Sequence, residues 1–183
     1  RNIRVLLRTL PITSIFKRMS FTIDYKDKVV LVTGVSSGIG LGTAIEFAKA
    51  GAHVAGCSRK AAGDTCAVAF RKAVEAEGVR ALYRQADVTC PEDLEALVRE
   101  TVGTFGRIDI LVSSAGVNVF EGAEGCTEER WQYNLDLNLA SHWRLSKLCK
   151  PYLEKSGEGV ILLMTSNHAF GTIPGCFPYS VTK

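Results

Sequence analysis

The chain lacks any apolar run of membrane-spanning length. Its apolar runs, such as residues 29–32, 110–112 and 160–164, are a few residues each, so no membrane partner is expected. Its six cysteines include no CxxC pair, and its three histidines do not cluster with them in a ligand spacing. No metal site is therefore expected. Arg8 and Pro11 interrupt any apolar core of a secretory signal, so reduced thiols and a cytoplasmic location are expected. Internal repeats, low-complexity tracts and interdomain linkers are absent too.

Residues 1–18 contain no acidic side chain but hold Arg1, Arg4, Arg8, Lys17 and Arg18. Taking those five from the 22 Lys and Arg leaves 17 bases against 19 acids, so the net charge of +3 belongs to this head alone. The remainder, at −2, has no basic footprint for a nucleic acid. Two readings of the head stay open: upstream sequence before a start at Met19, or the end of an organellar, mitochondrial-type transit peptide. Residues 19–183 are expected to form one domain.

What is present is a core-forming composition, 46% apolar and 22% charged over 183 residues, too short for two ordinary domains. β-branched runs alternate with helical patterns. Strands are expected at residues 29–33, 53–57, 81–85, 108–113 and 159–164. Helices are expected at 38–50, 64–77, 91–105 and, as one long element capped by Thr127, 127–154. Residues 107–109 read as a solvated turn. The order β-α-β-α-β-α-β-α-β predicts an α/β fold with a doubly wound parallel sheet, the Rossmann fold.

The stretch VTGVSSGIGLG leaves the first strand and opens the first helix. Gly34, Ser36, Ser37, Gly38, Ile39 and Gly40 are its candidate cofactor contacts. A turn this tight needs residues free of Cβ, and a helix amino terminus offers N–H groups to a pyrophosphate. No Lys follows the glycines, which excludes a phosphate-loop NTPase. A carboxylate is expected at the end of the second strand where a free ribose 2′-hydroxyl is bound. Here that position carries Ser58 and Arg59, then Lys60. A guanidinium suits a phosphate, so NADP(H) is the expected cofactor, with NAD(H) as the alternative. An ordinary surface arginine is the competing reading of Arg59.

Tyr179 and Lys183 are four apart, one helical turn, and mean little alone. Ser166 ends the fifth strand and Asn138 lies in the long helix. With the glycine loop, these positions make the chain resemble the short-chain dehydrogenase/reductase family from about residue 26 to 183. The resemblance implies a catalytic set of Asn138, Ser166, Tyr179 and Lys183, an adenine contact at Asp87-Val88, and a homodimer or homotetramer. Cofactor contacts at Ser114, Ala115, Gly116, Tyr179 and Lys183 complete the set. One departure stands out: Ser113-Ser114-Ala115-Gly116 replaces the family's Asn-Asn-Ala-Gly, which removes two amides from that loop.

The implied chemistry is hydride exchange between cofactor and a carbonyl or secondary alcohol. A developing alkoxide needs a proton donor and a hydrogen bond. A free phenol ionises near pH about 10, and an adjacent ammonium lowers that value. Tyr179 is thus the general acid/base, Lys183 its tuner and ribose ligand, and Ser166 the carbonyl clamp. Asn138 is implied to hold a water linking Lys183 to solvent. His168 reads as a surface loop residue, and Cys176 and Phe177 as candidate lining of the substrate pocket. The helix from Tyr179 has only five residues, too few to stand alone, and the fifth strand would be an apolar edge. The fold is therefore expected to be cut at its C-terminus, after the fifth strand. Two other readings remain: a non-catalytic NADP(H)-binding module, and a sugar-nucleotide epimerase or dehydratase.

Overall fold

The structure is a computed structural model and describes residues 23–183. The basic head and the start at Met19 lie outside the described residues. Five strands form one parallel sheet in the order β3-β2-β1-β4-β5, which is the expected doubly wound topology. The strands are β1 (Val29–Thr33), β2 (His53–Ser58), β3 (Ala81–Gln85), β4 (Ile110–Ser113) and β5 (Val160–Leu163). The helices are α1 (Gly38–Lys49), α2 (Thr65–Glu75), α3 (Pro91–Phe105), α4 (Glu128–Leu135), α5 (Ser141–Ser156) and α6 (Tyr179–Thr182).

The two-residue period of β1 sorts the core into two halves. Val30 and Val32 face a cluster with Ala44 of α1 and Phe70 and Val74 of α2. Leu31 faces the opposite cluster, with Leu94 and Leu97 of α3 and Leu145 and Cys149 of α5. Every residue of β1 is buried, as a central strand covered on both faces requires. β1 pairs with both β2 and β4. The chain reverses its winding between β1 and β4, and a crevice opens there at the carboxyl ends of the strands.

Three local expectations need correction. Residues 127–154 are not one regular helix. Thr127 does cap α4, its hydroxyl accepting the Arg130 N–H at 3.2 Å, but a π-helical turn, Asp136–Ala140, separates α4 from α5. Strand β4 begins at Ile110 rather than 108, because Asp109 turns its side chain to a structural task. That carboxylate is 3% exposed and accepts the Val29 N–H at 2.8 Å and Arg107 Nε at 2.8 Å. Of the expected solvated turn only Arg107 is exposed: Ile108 and Asp109 are buried, and the Asp109 carboxylate, ion-paired with Arg107, ties β4 to β1. At the sheet edge all four residues of β5 are exposed, as expected for the fifth strand.

Candidate functional site

The crevice at the β1/β4 switch point is a cleft of about 580 Å³. Gly34, Ser36, Ser37, Ile39 and Gly40 line it from β1 and α1, and Ser58 and Arg59 from β2. Asp87 and Val88 follow β3, Ser114, Ala115 and Gly116 follow β4, and Ser166, Tyr179 and Lys183 follow β5. Of the expected catalytic and cofactor residues, Gly38 and Asn138 are not on the cleft wall. Several wall residues were not anticipated, among them Asn118, Met164, Thr165 and Asn167.

The glycine loop owes its shape to two positions. Gly34 has φ +79°, and a Cβ there would sit 3.0 Å from Ala115 Cα. A Cβ on Gly40 would lie 2.4 Å from the Gly34 carbonyl oxygen. Both must lack a side chain for the loop after β1 to pack between α1 and the loop after β4. Ser37, at the cap position of α1, makes no capping hydrogen bond, and the first turn holds no acid. The amino end of this helix therefore keeps its N–H groups and positive dipole end for an anion in the cleft.

The loop after β4 is tied through backbone groups instead of the two missing amides. Thr33 Oγ1 accepts N–H bonds from both Ser114 and Ala115 at 3.0 Å. Asn138, in the π turn and 1% exposed, grips Val117, two residues on. Its Oδ1 accepts the Val117 N–H at 3.1 Å, and its Nδ2 donates to the Val117 carbonyl at 3.2 Å. The same Nδ2 faces Asn134 Oδ1 and Thr182 Oγ1, so Asn138 joins α4, the β4 loop and α6. π turns recur where a helix must re-aim side chains at a functional site.

Lys183 Nζ donates to the Met164 carbonyl at 3.0 Å, and burial pulls its pKa below the ordinary lysine value. Ser166 is the amino cap of a short 3-10 turn, Asn167–Ala169, its Oγ accepting the His168 N–H at 3.2 Å. Tyr179 is 7% exposed. His168 is not a free surface residue. Its ring packs edge-on against Tyr179 at 5.9 Å, and its Nδ1 meets Cys176 Sγ at 3.3 Å. Cys176 is itself buried, and Phe177 stacks on Trp131, so both support the wall rather than line the cleft.

At the far end, Ser58 is committed: its hydroxyl shares a 2.7 Å hydrogen bond with Tyr83. Arg59 is exposed, with Nη1 donating to the Tyr133 hydroxyl at 3.1 Å. Lys60 lies beside it on the rim. The Asp87 carboxylate accepts the N–H and the hydroxyl of Thr89 at 2.9 and 2.8 Å.

Sequence reading missed His142. It is buried one helical step beyond Asn138, with Nδ1 2.6 Å from Ser113 Oγ. Its Nε2 has no hydrogen-bond partner among the described residues. Burial, then the charge of Lys183, lowers its pKa to about 4. The spacing 134–138–142 of buried polar residues was the available signal.

Known proteins share this fold and part of this sequence. A family model described as short chain dehydrogenase matches residues 28–183. The chain is 40% identical over 158 residues to human dehydrogenase/reductase SDR family member 4, covering 86% of this chain and 56% of that protein. A solved dehydrogenase/reductase from Sinorhizobium meliloti superposes with a TM-score of 0.82 at 32% identity, covering 88% of this chain and 63% of that one. An alcohol dehydrogenase from Thermococcus sibiricus, complexed with 5-hydroxy-NADP, gives a TM-score of 0.79 at 29% identity, covering 85% and 65%. The chain thus spans 56% of the length of the human relative.

Proposed function

The chain belongs to the short-chain dehydrogenase family, and from that premise we propose that it serves an NADP(H)-dependent oxidoreductase acting on a carbonyl or secondary alcohol. One observation carries the reading. Lys183 Nζ and Asn138 Oδ1 both converge on Gly116, where a Cβ would come within 2.9 and 2.8 Å of them. This convergence lies on the β5 side of the same cleft that the uncapped end of α1 opens into. The donor set fits a dinucleotide: free helix N–H groups for a pyrophosphate, Lys183 for a ribose, Arg59 and Lys60 for an adenosine phosphate.

Held by these residues, a nicotinamide dinucleotide would supply the hydride chemistry. The chain's own residues handle the proton and the charge. Tyr179 donates its phenolic proton to the oxygen that gains charge, and takes it back in the reverse direction. Lys183, one turn on, stabilises the phenolate. Ser166 Oγ donates a hydrogen bond to the same oxygen once its local contacts are exchanged for the substrate. Asn138 keeps Lys183 and Thr182 in register, and a water beside it would carry the proton outward. A homodimer or homotetramer in the cytoplasm belongs to the same proposal.

The test is NADPH and NADH binding by fluorescence, alongside NADPH oxidation with a carbonyl panel, for the full chain and for Tyr179→Phe. The reading expects binding in both proteins and turnover in the first alone. Binding without turnover in either would favour a nucleotide-binding module; no NADPH binding would end the proposal.

A further inference from the structure

We infer that the carbonyl compound taken by this site is uncharged and carries a flat apolar ring beside its carbonyl, and that Phe120 is the residue that reads the ring. This rests on the reductase reading above and names its substrate class.

The first argument is charge. Residues 110–120 and 159–182, which form β4, β5 and the loops leading from them past Tyr179, contain no Asp, Glu, Lys or Arg. The acids that flank these stretches are all paired: Asp109 with Arg107, Glu121 with Arg130 at 3.4 Å and Glu158 with Lys28 at 3.3 Å. Lys183 is turned to the Met164 carbonyl. Among the described residues of these stretches no Lys or Arg meets a carboxylate or phosphate, so one on the substrate would be desolvated here without a partner from them.

The second argument is shape. Phe120, His168 and Tyr179 form a three-ring corner. Phe120 lies 5.9 Å from Tyr179 at 68° and 6.0 Å from His168 at 56°, and His168 lies 5.9 Å from Tyr179 at 69°. Each pair is an edge-on or tilted contact of the favoured kind. Tyr179 is buried in this corner while Phe120 remains 52% exposed. An open ring thus stands beside the group proposed to protonate the carbonyl.

The third argument is rigidity. Phe120 forms an isolated bridge with Pro178, immediately before Tyr179. The Glu121 N–H donates to the Phe177 carbonyl at 2.9 Å, and the Gly122 N–H to the Gly175 carbonyl at 3.1 Å. Trp131 of α4 stacks on Phe177 at 5.3 Å and 9°. His168 is held by Cys176 and Thr172. A ring already fixed in place loses little freedom on binding a second ring.

The experiment compares kcat/KM with NADPH for acetophenone, butanone and phenylglyoxylate, on the full chain and on Phe120→Ala and Phe120→Leu. Acetophenone is expected to exceed both others by about tenfold or more. Phe120→Ala is expected to cut the acetophenone-to-butanone ratio by about three- to tenfold, the worth of one aromatic pair. Phe120→Leu, which keeps apolar bulk and guards against misfolding, should retain part of it. A preference for phenylglyoxylate, or a ratio untouched by Phe120→Ala in a folded protein, overturns the inference. If no carbonyl is reduced, the reductase reading falls separately, and saturation-transfer NMR of acetophenone with NADP+ decides the ring site. Contact in the parent that Phe120→Ala removes supports it; no contact in the parent overturns it.

Discussion

Lys183 Nζ lies 2.9 Å from the point at which a side chain on Gly116 would begin. The Gly116 backbone is not in the left-handed region, so the requirement for glycine is purely one of space. Gly116→Ala should therefore displace Lys183 or Asn138 while leaving the sheet intact. The expected outcome is a loss of NADPH affinity of about tenfold or more, with an unfolding midpoint that changes little. Isothermal titration and a thermal melt on the same sample separate the two effects.

His142 makes stability depend on pH. Its pKa in the fold is about 4, against an ordinary value of 6.5. Above pH 6.5 the imidazole is neutral in both folded and unfolded chains, and contributes no pH dependence. As pH falls below 6.5 the unfolded chain takes up a proton that the fold, with Lys183 nearby, refuses. Stability is then lost progressively until the folded group also protonates near pH 4, by on the order of 2–3 kcal/mol. Urea denaturation at pH 7.5 and pH 4.5 should show a smaller pH difference for His142→Asn than for the parent. An equal difference would mean that His142 titrates normally.

Arg59 is exposed, and among the described residues its guanidinium is hydrogen-bonded to the Tyr133 hydroxyl alone. Arg59→Ala should weaken NADPH by about ten- to a hundredfold, the range for charge-assisted hydrogen bonds to a phosphate, and leave NADH nearly unchanged. Parallel titrations of the two cofactors measure the ratio; an unchanged ratio would return Arg59 to an ordinary surface role.

Asp109 ties the starts of β1 and β4 together. Asp109→Ala would leave the buried Val29 N–H without an acceptor and Arg107 without its partner. A cost of about 1–3 kcal/mol follows for the orphaned donor, read as a lower denaturant midpoint. Arg107→Ala removes only the exposed partner and should cost less.

Much of this could be read from residue order. The run VVLVT, the glycines behind it and the strand–helix alternation are local signals, and each set its element within a few residues. Tyr179, Lys183 and Ser166 could be singled out because their spacings survive in one dimension, and all three line one cleft. The missed features are those that only tertiary contact creates. Asp109 looked like a turn acid because nothing in sequence says that Val29, 80 residues away, needs its oxygen. His142 meets Ser113 only once α5 lies on β4. Three-residue and four-residue periodicity continues across residues 136–140, which hid the π turn.

That π turn has a consequence for angular phase. An α-helix advances about 100° per residue, so the wider turn at Asp136–Ala140 acts as a rotational offset between the two helices it joins. Asn134 and the α4 residues upstream are indexed to the loops around Tyr179. Leu145, Cys149 and the rest of α5 are indexed to the sheet core. Removing a single residue from the turn would not merely shorten the rod: it would force a choice between the core's phase and the site's, and only one half of the helix could stay seated.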